Sequence, residues 1–162
     1  MDSTALARAY RSLLDAAQAL TAAVPVLGAE DRATADWTLG HIALSDGMLA
    51  AVARDVLAGR PARIDNTAAM EPAALARLTA TTSHAGRVAL VRRHAGELLG
   101  LVEALSPHQA AALIQARLVD RTGRQVFDGR LAWEEVVRMR AEEHLPGHAA
   151  TLAALHPAAG RA

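Results

Sequence analysis

The 162-residue chain has no cysteine and no lysine, so all 17 of its basic residues are arginines. Without cysteine there is no disulfide, no thiolate metal ligand and no protein thiol to act as a nucleophile, and any sulfur chemistry must arrive on a small molecule. An excess of one charge is also missing. Seventeen acidic residues balance the arginines, which are spread from Arg8 to Arg161 and form no concentrated positive footprint for phosphates, so nucleic acid is not an expected partner. No apolar run is long enough to cross a bilayer, and Met1-Asp2-Ser3-Thr4 leads straight into an amphipathic pattern without a basic segment and apolar core. No membrane partner is expected, and the expected location is the cytoplasm. With 52% hydrophobic residues, the chain can bury a core unaided, and one domain over residues 1–162 is the expectation.

What is present is helical periodicity. Leu6, Tyr10, Leu13, Ala17, Leu20 and Val24 recur at spacings of three and four, which predicts a first helix from about Ser3 to Val24. Pro25 to Ala33 reads as a turn. A second helix follows, with Asp36 as N-cap, Trp37, His41, Leu44, Met48 and Val52 on its buried face, and Gly59-Arg60-Pro61 as its stop. Arg60 to Glu71 reads as an irregular crossover, long for a compact domain. Pro72 suits the start of a third helix, a break is expected in Thr79 to Ser83, and Val88, Val91, Ala95, Leu98, Val102 and Leu105 continue the stripe. Leu113 to Leu131 reads as a small β-hairpin turning at Thr122-Gly123. The last helix is expected from Ala132 to Leu155, with Trp133, Val137, Ala141, His144, His148, Leu152 and Leu155 on one face. The fold class is therefore all-α, a four-helix bundle with a hairpin before the last helix.

Three histidines fall on these apolar faces. His144 and His148 stand one turn apart, so both imidazoles can reach one metal from the same side. His41, from another helix, completes a three-nitrogen set with open positions, the pattern of a reactive site rather than a structural one. His41 lies early in its helix and the pair lies late, so their levels match if these two helices run antiparallel. A dozen residues between helices two and three can span roughly 40 Å, which allows the required up-down-down-up order. Leu145 stands after His144 where a zinc protease would carry a glutamate, so the pair brings no built-in base.

Trp37-Thr38-Leu39-Gly40-His41 together with His144-Leu145-Pro146-Gly147-His148 resembles the DinB-like superfamily, which includes the N-terminal domain of mycothiol-dependent maleylpyruvate isomerase and the bacillithiol transferases. The resemblance covers nearly the whole chain. It implies a bundle holding one divalent metal, zinc or nickel, on His41, His144 and His148, with mycothiol or a similar thiol as cosubstrate and a small electrophile as substrate. The extra C-terminal domain of the isomerase is not expected here, so maleylpyruvate itself is not the expected substrate. Pro146-Gly147, between two of the histidines, introduces a potential kink.

Two other readings stand beside this S-transferase or isomerase. One is a metal-water hydrolase, which needs a base that the sequence does not display. The other is a non-catalytic small-molecule-binding or scaffold bundle, and a homodimer is compatible with each. The catalytic and substrate-binding residues stay unassigned. His84 and His94 are read as flanking or partly buried rather than as proton carriers, and His108 and His156 are given no role. Asp46 is expected to point away from the ligands. Glu142 and Glu143 are placed on the solvated side, Asp65 and Asn66 in turn chemistry, and Trp37 and Trp133 in the core.

Overall fold

Leu6, Tyr10, Leu13, Ala17 and Leu20 all lie buried on one side of α1 (Thr4–Leu20), as their spacing predicts. The helix stops four residues short of Val24, and Val24–Val26 forms a single 3₁₀ turn instead, in which Pro25 takes an early position where its missing amide costs no hydrogen bond. The computed structural model describes residues 1–156 of the chain. It is mostly helical, with one small three-stranded sheet.

The second helix, α2 (Ala29–Leu57), starts earlier than its expected cap at Asp36. Gly28 precedes it, and Glu30 and Asp31 place negative charge on the first turn, where the helix dipole favours it. Asp36 is spent on an ion pair with Arg87. The helix is also buried on more than one side. Leu39, Ile42, Leu49, Ala53 and Val56 join His41 and Val52 in the interior, while Met48 and Leu44 are half-buried.

The segment read as an irregular crossover holds a short strand, β1 (Arg63–Asp65), and one helical turn, α3 (Thr67–Met70). After α4 (Pro72–Thr81) the expected break is confined to Thr82 and Ser83, and Ser83 caps α5 (His84–Ala104) by accepting from the Gly86 amide at 3.1 Å. A turn of helix, α6 (Pro107–Ala110), leads to β2 (Leu113–Val119) and β3 (Gln125–Ala132), which pair antiparallel. Gly123 takes the left-handed backbone (φ 81°) in the connection between them. Arg63, Ile64 and Asp65 pair in parallel with Gln115, Ala116 and Arg117, so β2 is central, and the two strands expected from the sequence have a third neighbour. Asn66 fixes this junction. Its side-chain amide donates to the Val119 carbonyl (3.0 Å) and its oxygen accepts from the Val119 amide (2.7 Å).

The last helical stretch comprises α7 (Trp133–Met139), a π-helical turn (Arg140–His144) and α8 (Leu145–Ala154). Two sequence features account for the π turn. Trp133, Val137, Ala141, Leu145 and Ala149 are buried at a spacing of four, slightly longer than the α-helical repeat, and the extra residue of a π turn absorbs the drift. Pro146 has no amide to donate, and the widened turn, closed by the Leu145 amide on the Arg140 carbonyl, accommodates its ring. The core face therefore carries Leu145 and Ala149. The histidines expected on it occupy the adjoining face.

Among the described residues no helix is long and apolar enough to cross a membrane.

Candidate metal centre

His41 follows Gly40, and that glycine sets the approach of the crossover. A Cβ there would lie 3.2 Å from the Leu75 side chain, so glycine lets α4 pack closely on α2 and brings α3 over His41. The His41 Nδ1–H donates to the Ala69 carbonyl at 3.1 Å. That bond leaves the Nε2 lone pair facing inward and holds the ring in one orientation, as a carbonyl behind a metal-binding histidine does. From the opposite side, the end of the π turn supplies His144 and the next turn supplies His148.

The three rings converge. His41 Nε2 and His144 Nε2 are 3.1 Å apart, the His144 and His148 centroids are 4.6 Å apart and those of His41 and His148 are 5.4 Å apart. One nitrogen from each lies within 4.8 Å of the others, a grouping that can hold a metal ion. Burial disfavours charge on all three. It lowers the His41 pKa, and with neighbouring positive charge it takes His144 down to about 2 and His148 to about 4. At neutral pH the set consists of three uncharged imidazoles, the form that ligates a cation.

Behind His144 is a buried polar cluster. Arg140, one turn earlier, donates from NH1 to His144 Nδ1 at 3.2 Å. A guanidinium can only donate, so this nitrogen is an acceptor and the His144 proton resides on Nε2, pointing at His41 Nε2. A cation bound to that nitrogen pair would displace the shared proton to solvent and leave the His144 ring an imidazolate, whose negative charge the Arg140 guanidinium on Nδ1 would balance. The remaining Arg140 donors go to Asp46, to Ser45 Oγ (3.1 Å) and to the Tyr10 hydroxyl (3.2 Å), and Tyr10 donates to Asp46 at 2.5 Å. Burial opposes the Arg140 charge, but Asp46 and Tyr10 beside it together outweigh this and hold the guanidinium protonated. Asp46, fully buried, acts on the triad through Arg140 and supplies no ligand atom to it.

Two members of the triad, His41 and His144, line a cavity of about 430 Å³ between α2, the sheet and the last helical stretch. Its walls are mainly apolar, from Met48, Leu49, Ile64, Leu118, Leu131 and Met139. Val136, Met139, Arg140, Glu143 and His144 line it at spacings of three and four, one helical face. Glu143, read from sequence as solvated, is exposed, but it stands at the cavity wall beside His144.

Other expectations need correction or fall outside the cluster. Trp133 is fully buried in the core, whereas Trp37 is half-buried and stacks on the His41 ring (5.0 Å, 11° between planes), with Arg121 4.5 Å above it. His84 bonds through Nε2 to the Ala17 carbonyl (2.9 Å) and His94 through Nδ1 to the Ala43 carbonyl (2.8 Å), so both tie helices together. His108 is exposed on α6 and His156 follows α8. Asp65 accepts from Thr67 and pairs with Arg117. The sequence reading missed Tyr10, Arg140 and Glu143. Signals for the first two exist in hindsight: a single tyrosine on a buried stripe, and an arginine four residues before a histidine.

No family model matches the chain, and neither a curated protein nor a solved structure matches it.

Proposed function

We propose that the chain is a DinB-like enzyme that binds one divalent cation, zinc or nickel, on His41, His144 and His148, and uses it to activate a low-molecular-weight thiol of the mycothiol type. The thiol is transferred to a small electrophile or promotes its isomerisation. The observation that carries this reading is the set of three uncharged imidazoles, within 4.8 Å of one another, two of which, His41 and His144, line a mainly apolar cavity. The fold expected of such a protein also has support. Asp36 meets Arg87, Ala43 meets His94 and Arg54 meets Glu97, so α2 and α5 progress in the same direction. His41 meets His144 and Asp46 meets Arg140, so α2 and the last stretch run oppositely. Ser3 with Glu103, and Ala17 with His84, oppose α1 to α5. Those pairings support up-down-down-up order, and the β2–β3 pairing supports the hairpin.

A bound divalent cation favours thiolate over thiol and places that nucleophile beside the substrate. The protein's own groups do the rest. The Ala69 carbonyl and the Trp37 ring hold His41, Arg140 orients His144, the apolar walls exclude water from the electrophile, and the Glu143 carboxylate accepts the thiol proton. With no cysteine in the chain, the incoming thiol has no competitor.

The test is elemental mass spectrometry on untagged protein, comparing wild type with His41→Ala and His148→Ala. About one equivalent in wild type, absent from both variants, is the expected result; wild type that takes up no zinc, nickel, iron or manganese overturns the reading. Glu143 also favours a second reading, a hydrolase in which this carboxylate takes the proton of a water. Turnover of an activated ester without thiol, lost in Glu143→Gln, would select it.

A further inference from the structure

The polar groups lining the cavity are largely committed within the protein. Ser45 Oγ donates to the Ile42 carbonyl and accepts from Arg140. Both ends of the Asn66 amide are spent on the Val119 backbone. Arg140 is occupied by Asp46, Ser45, Tyr10 and His144. Satisfied groups of this kind offer an incoming ligand little directional bonding, and a sugar or polar peptide entering the cavity would lose its hydration without replacement. What remains is apolar surface from Met48, Ile64, Leu118, Leu131 and Met139, with His41 and His144 of the triad and Glu143 in the same lining.

We infer that the cavity selects a compact molecule with an alkyl or aryl body and a single polar or reactive group directed at the triad. Its volume, about 430 Å³, is in the lower part of the range of small-molecule sites. This inference takes from the proposed function only the identity of what the polar group meets. It divides the two substrates by place: the apolar electrophile occupies the cavity, and a polar thiol approaches the triad from outside it.

The chain's methionines provide the readout, because Met48 and Met139 line the cavity while Met1 and Met70 do not. The full chain, labelled with ¹³C at the methionine methyls, is titrated with 1-butanol, 1-hexanol and glucose, before and after chelator treatment. Expected are shifts at Met48 and Met139 alone, affinity rising about fourfold for each methylene added, and no response to glucose. Leu118→Trp, which fills the cavity from β2, is expected to weaken hexanol binding at least tenfold; Leu131→Phe on β3 replaces it if the first variant does not fold. Equal affinity for butanol and hexanol, a matching response to glucose, shifts spread over all four methyls, or hexanol binding unaffected by the filling substitution would each overturn the inference. Binding that survives chelation while the protein proves unable to hold metal would sink the metal-centred function and leave the apolar site standing.

Discussion

Two aspartates on α2 each pair with a buried arginine, and the two pairs differ in where the rest of the arginine goes. Arg87, on α5, meets Asp36 and spends NH1 on Thr82, through its carbonyl at 2.6 Å and its hydroxyl, and on the Thr79 carbonyl. It fastens the end of α4 to the bundle. Arg140 meets Asp46 and spends its donors on side chains, Tyr10, Ser45 and His144. It fastens a ring of the triad. The solvent around the pairs differs too, since the Asp36 side chain keeps 19% of its exposure and that of Asp46 keeps none. A buried charge pair that ends on backbone serves the fold, and one that ends on an imidazole serves the site.

The largest effect should come from separating the more buried pair. Asp46→Ala leaves the Arg140 charge in the interior without its counterion, a change that costs about 3–5 kcal/mol, a large share of the stability of an ordinary domain. Urea unfolding should show this as a fall in midpoint at unchanged slope; a loss under about 1 kcal/mol would mean that water reaches Arg140. Replacing both partners tests the division of labour. Asp46→Leu with Arg140→Met removes both charges and should recover most of the stability, yet His144 would lose the donor that orients it. Metal affinity should then fall by about 10–100-fold, measured by competition with a chromophoric chelator. Affinity equal to wild type would reduce the Arg140 cluster to packing.

Arg87→Met supplies the opposite result. The ion pair is partly solvated and its Coulomb contribution is discounted accordingly, but the carbonyls of Thr79 and Thr82 lose a charged donor. A destabilisation of about 1–3 kcal/mol is expected, with metal content unchanged. A loss of metal would show that the two pairs are coupled through α2.

The histidines were legible for a physical reason that does not extend to their surroundings. A helical face is fixed by local spacing, so His41 on one stripe and His144 with His148 on another announce themselves as inward-facing polar groups, and the structure does bring the three rings together. The residues around them depend on partners distant in sequence. Arg63-Ile64-Asp65 is too short to show alternation, and it becomes a strand because β2 lies alongside. Glu143 reads as solvent-facing because it is charged, yet the face it shares with Val136, Arg140 and His144 borders a cavity whose other wall comes from the sheet. Trp37 fits a core stripe by spacing, but its neighbours are an imidazole and the Arg121 guanidinium. The start of α2 at Ala29 was obscured by Asp36, a good cap by type, whose carboxylate was already claimed by Arg87.

A third aspartate–arginine pair sets the lower limit of the comparison. Asp120 and Arg124 meet at 3.2 Å in the turn between β2 and β3, where the Asp120 carboxylate also accepts from the Thr122 hydroxyl and from the Thr122 and Arg124 amides. These bonds, the Thr122 hydroxyl first, bring the Asp120 pKa down to about 2. A folded-state pKa below the unfolded value, about 3.9, means that the contribution is complete above that value and is lost as pH falls through about 2. The Thr122 and Arg124 amide resonances should therefore titrate with a midpoint near 2, and Asp120→Asn should remove the transition while leaving the methionine methyls of the cavity unmoved. A midpoint in the ordinary aspartate range would show that the turn does not hold this carboxylate in solution. The energy at stake is the smallest of the three, because solvent already competes for the carboxylate in the turn, and for Arg140 it does not.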